Sequence, residues 1–458
     1  MTAVYEHVFR HALFPLYEEV VKRRGTATYL REYERNQWLD RRAIDDLQLR
    51  KLNALLDHCW KNVPFLERHW RNAGLQPGAL QSAAELSRFP LLTKQLITDN
   101  FARMRATSRS GPVFSKATSG STAEPFRYEY SAESYARRTA VMWRAYRWCG
   151  SDIGRRSAYL WGTMSAGSRL TLFKDRCYQA AFNRLTLNSS NMSDANIDEF
   201  VTRLDRFKPR VIVGFVGPLL QMSRYLIEHQ RRVHRPASII GAAEALSASA
   251  RTLISKAFDA PVYDSYGCRE FMSIACECAE RNGLHANTDH LVVETVDACG
   301  LPVIDAPGDM CITDLHNYAM PLVRFMNGDR AAWSDRSCAC GRGLPLLQSI
   351  EGRVLDMILG ADGRVVSGEL LTNVVMEFPQ VRWFQIIQDV RDELELRIVP
   401  RAELTADHRN SLVQRMRALV GSSIRVWINE VTEIPLTKGG KRRVTVSNLD
   451  RGHARPAP

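Results

Sequence analysis

Pro209–Ala243 reads PRVIVGFVGPLLQMSRYLIEHQRRVHRPASIIGAA. Its first seven residues, PRVIVGF, form a short β-branched apolar run, and its last seven, ASIIGAA, form another. Between them LLQMSRYLIEHQRR (Leu219–Arg232) carries apolar residues at helical spacing. Two apolar strands joined by a helix pair in parallel, because an antiparallel pair needs only a tight turn. The pattern continues on both sides. SAYLWG (Ser157–Gly162) and APVYDSYG (Ala260–Gly267) read as further buried strands, and Asn196–Phe207 and Ser247–Phe258 as further helices. The fold class expected is therefore α/β, with a parallel or mixed sheet covered by helices.

Outside this centre the chain changes character twice. Residues 1–110 read as helices, as in DDLQLRKLNALLDHCWKNV (Asp45–Val63), and about 262–353 is β-rich, with HLVVETVD (His290–Asp297) and GDMCITDL (Gly308–Leu315). From about Val354 a compact α+β unit follows. It has helices over Ser367–Phe378 and Thr405–Gly421 and strands over Val381–Asp389, Glu393–Pro400 and Ile424–Val431. The domains expected are 1–353 and a small lid-like domain, 354–458.

The 62 Lys and Arg against 50 Asp and Glu give a net charge of +12, which suits nucleic acid, an anionic surface or an acidic substrate. No nucleic-acid motif accompanies it, and the excess is spread over segments such as Arg41–Lys51 and Ile227–Arg235. It reads as an arginine-rich surface, and no nucleic-acid partner is expected. The first 25 residues, MTAVYEHVFRHALFPLYEEVVKRRG, lack a signal-peptide layout. They read as an amphipathic helix, packed on the main domain in preference to resting on a membrane. No run is long enough to span one. Cys59, Cys149 and Cys177 stand apart, whereas Cys268, Cys276, Cys278, Cys338 and Cys340 crowd one region. That points to reduced thiols, a metal cluster and the cytoplasm.

Five stretches carry chemistry. KATSGSTAEPF (Lys116–Phe126), between two strand-like segments, offers hydroxyls and backbone amides at the spacing an anion needs, although a plain polar hairpin reads equally well. DSYGCREF (Asp264–Phe271) puts a Tyr at a strand end and a Glu that can hold a divalent cation. PLVRFMNGDR (Pro321–Arg330) places a carboxylate at a turn, able to accept two hydroxyls. EGRVLDMI (Glu351–Ile358) sits at the domain boundary, and EIPLTKGGKRR (Glu433–Arg443) supplies a cluster of cations near the end.

In this order the stretches resemble the adenylate-forming ligase superfamily, in its phenylacetate–CoA ligase and CapK-like branch, almost end to end. The resemblance implies that Thr118, Ser119, Gly120, Ser121 and Thr122 hold the β- and γ-phosphates of ATP. It implies that Tyr266, between Ser265 and Gly267, stacks on adenine beside Ala243 and Glu244 of GAAEAL, and that Glu270 ligates Mg²⁺. Asp329 then takes the ribose hydroxyls, Arg353 touches ribose or phosphate, and Asp356 is the hinge. Lys441 is the catalytic lysine. Several positions depart from the family pattern: Ala123 replaces a glycine, Phe325, Met326 and Asn327 replace the usual Tyr-Arg-Thr before Gly328-Asp329, and Leu436 stands where an Arg is usual.

The cysteine region supplies Cys278, His285, Cys338 and Cys340, a set suited to a structural tetrahedral zinc, with Cys276 as a competing ligand. His290 reads as a surface or packing histidine. The activity implied is ATP-dependent, AMP-forming ligation of a carboxylic acid in a pocket near Trp161, Phe215, Gly217, Pro218 and Ala242. CoA is the default acceptor, with an amine or a carrier-protein thiol as alternatives. The competing reading is a zinc-stabilised basic binding protein without catalysis.

Overall fold

The computed structural model describes residues 2–108, 111–117, 126–161, 169–189, 192–353, 358–361, 365–366, 368–435 and 443–449. It divides into two compact units, residues 1–246 with 250–350, and residues 351–458 with 247–249.

The first unit begins with helices. Helix α1 (Thr2–Val8) runs on through two π-helical stretches, Phe9–Leu13 and Leu16–Val21. Then come α2 (Thr26–Asn36), α3 (Arg41–Asn62), α4 (Pro64–Asn72), α5 (Lys94–Asp99) and α6 (Phe101–Met104). Their starts are encoded locally. The Asp40 carboxylate accepts from the Ala43 amide at 2.8 Å to open α3, and Thr93 Oγ1 accepts from the Leu96 amide at 3.2 Å to open α5. An antiparallel pair, β1 (Val113–Ala117) and β2 (Arg127–Ser131), precedes α7 (Ala132–Trp148). The stretch between Ala117 and Arg127 thus joins paired strand ends, although residues 118–125 lie outside the described residues.

The centre is the strand–helix alternation expected. Strands β3 (Ser157–Trp161), β4 (Arg184–Asn188), β5 (Val211–Phe215), β6 (Ser238–Ala242) and β7 (Val262–Tyr266) run parallel in the order β4-β3-β5-β6-β7. Their crossover helices are α8 (Arg169–Ala181), α9 (Asp194–Phe207), α10 (Val216–Glu228) and α11 (Ala248–Phe258). Strands β5 and β6 are buried at every position, as parallel strands covered on both faces must be. Beyond β7 the sheet turns antiparallel through β8 (Ala275–Glu277) and β9 (Leu284–Ala286). It ends with β10 (Leu291–Val296), β11 (Gly308–Asp314), β12 (Phe325–Trp333) and β13 (Leu346–Arg353), giving one mixed sheet of 11 strands.

A buried ionic web fastens the helical start to this sheet. The Arg144 guanidinium on α7 donates to both oxygens of Asp289 (2.7 and 2.9 Å), to Asn287 Oδ1 and to the Tyr33 carbonyl. Arg138, one helical stretch earlier, bonds Asp314 at 2.5 Å. Both pairs are almost wholly buried. Arg324, at a left-handed φ of 51°, donates to the carbonyls of Ser87, Phe89 and Gly300 and to Glu294. His290 is fully buried, so it is the packing histidine of the two alternatives and not a surface one. Its Nδ1 lies 2.8 Å from the Tyr33 hydroxyl and its ring stacks on His316.

The second unit carries a small hairpin, β14 (Ile358–Leu359) with β15 (Val365–Val366), and then α12 (Gly368–Met376). Its main sheet has the order β18-β17-β16-β19, from β16 (Val381–Gln388), β17 (Glu393–Pro400), β18 (Arg425–Glu430) and β19 (Thr445–Ser447). Helix α13 (Ala406–Val420) packs on it through Leu412, Met416 and Val420. No helix among the described residues is long and apolar enough to cross a membrane.

Two outcomes follow for stability. Asp289→Ala strands a buried guanidinium, so the variant loses about 3–5 kcal/mol in denaturant unfolding. Burial, reinforced by Arg138, Lys51, Arg137 and Arg144, pushes His290 well below its ordinary pKa, and burial does the same to His316. Both stay neutral when folded but take up a proton near pH 6.5 when unfolded. The unfolded chain binds more protons below that pH, so stability falls with acidification by about 1.4 kcal/mol per pH unit per histidine. Unfolding measured between about pH 6.5 and 5 shows this fall, and His316→Asn removes one histidine's share of it.

Candidate functional site

The order β4-β3-β5 places a topological switch between β3 and β5. Successive crossovers leave in opposite directions there and open a crevice at the carboxyl ends of the strands, where open α/β sheets bind ligands. Trp161 ends β3 and Phe215 ends β5, and their rings meet with centroids 4.3 Å apart. Ala242 ends β6, and Ala243 follows with a φ of 66°, a left-handed conformation unusual for alanine. Gly217 and Pro218 lie in the first turn of α10. Glu244 reaches across to accept from the Gly217 amide at 2.6 Å, tying the ends of β5 and β6 together.

One strand further, Ser265 and Tyr266 end β7. The next residue must be glycine, since a Cβ on Gly267 would lie 1.8 Å from the Met272 carbonyl oxygen. The Tyr266 hydroxyl donates to Asp329 Oδ2 at 2.5 Å, and Asn327 Nδ2 donates to the same hydroxyl at 2.8 Å. The Asp329 amide in turn donates to Asn327 Oδ1 at 3.0 Å. Burial, with the Asp329 charge adding to it, holds the Tyr266 phenol well above its ordinary pKa, so it is a neutral donor. Two motifs 63 residues apart thus converge on one hydrogen bond.

Glu270 is buried, with Lys94 Nζ of α5 at 3.9 Å. The Tyr128 hydroxyl donates to the Arg269 carbonyl, and Arg269 Nη1 donates to the Ala117 carbonyl at 3.2 Å. The Tyr266–Glu270 segment is thereby fastened to the β1–β2 pair. Thr118, Ser119, Gly120, Ser121 and Thr122, together with Asp356 and Lys441, lie outside the described residues. Arg353 ends β13. Sequence reasoning passed over Asn327, Lys94, Tyr128 and Arg269. Of these only Lys94 had a local signal, the Thr93 cap that opens its helix.

Behind β7 the predicted thiols and imidazole come together. One ligand atom each from Cys278, His285, Cys338 and Cys340 lies within 4.8 Å of the others. Cys278 Sγ is 3.6 Å from Cys338 Sγ, and Cys340 Sγ is 3.3 Å from His285 Nε2. A tetrahedron with metal–sulfur bonds of about 2.3 Å has S–S edges of about 3.8 Å, so the spacing suits zinc. His285 Nδ1 bonds the Leu344 carbonyl at 3.1 Å, which fixes the ring and leaves Nε2 toward the thiols. Burial pushes the Cys340 thiol up, but the Arg342 amide and guanidinium outweigh it and leave the thiol lowered. Arg342 is itself held over the rings of Trp38 and Trp148. Cys276 is not in the cluster: its thiol lies 3.5 Å from that of Cys149.

With this geometry in place, comparison with known proteins gives consistent results. A family model described as the CapK C-terminal domain matches residues 358–448. The chain is 24% identical over 439 residues to a phenylacetate-coenzyme A ligase of Thermus thermophilus, covering 88% of this chain and 96% of that one. It is 21% identical over 468 residues to Protein CapK of Staphylococcus aureus, covering 97% and 99%. Among solved structures, a 2-hydroxyisobutyryl-CoA ligase in the postadenylation state with 2-HIB-AMP superposes with a TM-score of 0.73 at 19% identity, over 91% of this chain and 92% of that one. The chain is a homologue of the phenylacetate–CoA ligases and of CapK, built on the fold of the adenylate-forming ligases.

Proposed function

We propose that this protein is an ATP-dependent, AMP-forming carboxylic acid ligase that passes the acyl group to CoA. The observation that carries the reading is the hydrogen-bonded Tyr266–Asp329 pair at the carboxyl ends of the parallel strands, with buried Glu270 four residues further on. Asp329 is held by the Tyr266 hydroxyl and by its own amide on Asn327, ready to accept from vicinal ribose hydroxyls. The Tyr266 ring offers a flat face to adenine, bordered by Ala243, Glu244, Ser265 and Gly267, while Arg353 meets ribose or phosphate. The hydroxyls and amides of Thr118–Thr122 cradle the terminal phosphates.

In the first half-reaction a carboxylate oxygen attacks the α-phosphorus, the bond to the β-phosphate oxygen breaks and pyrophosphate leaves. Lys441 offsets the like charges of nucleophile and phosphate as they approach. The buried Glu270 carboxylate suits a divalent cation, and Mg²⁺ bound there supplies further neutralisation of phosphate charge. In the second half-reaction the acceptor thiolate attacks the acyl carbon and AMP leaves. The boundary proposed lies between 353 and 354, with Asp356 as the pivot that withdraws Lys441 in between. Trp161, Phe215, Gly217, Pro218 and Ala242 line the acid pocket. An amine or a carrier-protein thiol in place of CoA uses the same first half-reaction.

Cys278, His285, Cys338 and Cys340 form a closed four-ligand set, which suits a structural zinc with no open position for catalysis. The free thiols support a reducing, cytoplasmic setting.

The test is acid-dependent ATP–pyrophosphate exchange across aryl and aliphatic acids. One acid drives exchange, and Lys441→Ala and Glu270→Ala each lower it by about 100-fold or more. ATP binding without exchange in either the parent or the variants, over the whole panel, sinks the proposal. For the metal, elemental analysis finds one zinc per chain. Cys338→Ser with Cys340→Ser loses it and unfolds at a lower temperature, whereas Cys276→Ser keeps it.

A further inference from the structure

Among the described residues seventeen large apolar side chains are exposed, and eleven of them lie in two segments, residues 4–21 and 170–178. The two segments are neighbours. The Tyr5 hydroxyl donates to the Ala181 carbonyl at 2.6 Å, and Phe9 and Phe14 both pack edge-on against Phe182 at the end of α8. Phe9 and Phe14 are the inward anchors of the first helix, so its packing on the main domain is real but one-sided. Its other side leaves Val4, Val8, Leu16 and Val20 between 45% and 69% exposed, while α8 leaves Leu170 and Phe173 above 60%. A concentration of this kind on one region marks an interaction surface.

The charges around it decide the partner. The acidic groups on both segments are engaged within the fold: Glu6 with Arg155, Glu18 with Thr26, Glu19 with Thr28 and Asp175 with Gln179. Lys22, Arg23, Lys174 and Arg176 are exposed, and none of them forms an ion pair among the described residues. A second copy docking isologously would set this basic rim against itself. An anionic bilayer accepts both components, apolar side chains in the interface and cations at the headgroups.

We infer that the helix over residues 2–21 and α8 together form a membrane-surface docking face, selective for anionic lipid, that holds the protein on a bilayer without spanning it. The end of α8 that carries Leu170 and Phe173 lies in the crossover that follows Trp161, so docking brings the carboxyl end of β3 toward the lipid surface.

Co-sedimentation of the full chain with phosphatidylcholine vesicles, with and without phosphatidylglycerol, tests this. The protein binds only the vesicles containing phosphatidylglycerol, and added salt weakens the binding. Lys174→Ala with Arg176→Ala lowers the affinity about 30-fold. Leu170→Glu with Phe173→Glu abolishes it while the circular dichroism stays that of the parent chain. Equal binding to both vesicle types, or none to either, overturns the proposal. So does a dimer in light scattering that Phe173→Glu converts to monomer, since a second copy then covers the face.

Discussion

The bidentate bond between Arg144 and Asp289 is the constraint on which the rest of the first unit depends. Asp289 sits between β9 and β10, in the antiparallel half of the sheet, and Arg144 sits on the helix that follows the β1–β2 pair. Lys51 of α3 bonds the Asp289 carbonyl and Gln48 bonds the carbonyls of Thr288 and Leu291, so three layers meet at one loop. Buried charges of this kind add little net stability over apolar packing, but they are costly to mispair. Their effect is on register. A helix slipped by one residue leaves a guanidinium and a carboxylate unsatisfied, whereas an apolar face tolerates the slip.

The same logic of shared partners runs through the candidate site. Tyr266, Asn327 and Asp329 belong to two strands, β7 and β12, with β8, β9 and β13 between them in the sheet, yet each orients another. Neutral tyrosine, amide and carboxylate form a small network in which Asn327 Nδ2 donates to both the Tyr266 hydroxyl and Asp329 Oδ2, and that hydroxyl donates to the same carboxylate. Lys94 brings the helical start of the protein to Glu270, so the region that looks like a preface to the fold contributes a cation to its centre.

How far the sequence disclosed this differs by scale. Strand–helix alternation was legible because a buried parallel strand leaves an unbroken apolar run, as in Val211–Phe215, and a covering helix leaves apolar spacing of three and four. Tyr266 and Asp329 were singled out only by the resemblance of several motifs in one order, and the Cys–His set by ligand type and spacing; the structure brings each group together. Arg138 was not, since its partner Asp314 lies on a distant strand, and Asn327 was not, since its bond to the Tyr266 hydroxyl crosses the sheet; no local pattern marks a residue whose importance is who it faces. Helix α8 escaped for the opposite reason. It buries so little apolar surface that its sequence carries no clear core-facing stripe, and the exposed Leu and Phe are conspicuous only once the neighbouring helix is placed beside them.

The Cys–His cluster has a mechanical reach beyond its own ligands. Strand β8 pairs with β7 at Tyr266↔Ala275, and Cys278 follows β8 by one residue. The loop that carries Cys338 and Cys340 also seats Gly343 so closely on the turn after α2 that a Cβ there would lie 1.9 Å from the Leu39 carbonyl oxygen. The cluster therefore lies where three parts of the fold meet: the aromatic shelf at the strand ends, the hairpin behind it and the first helices. A zinc held there, as proposed, would stiffen the shelf within a few residues of Tyr266, so its removal would be felt as a loss of rigidity before any loss of chemistry.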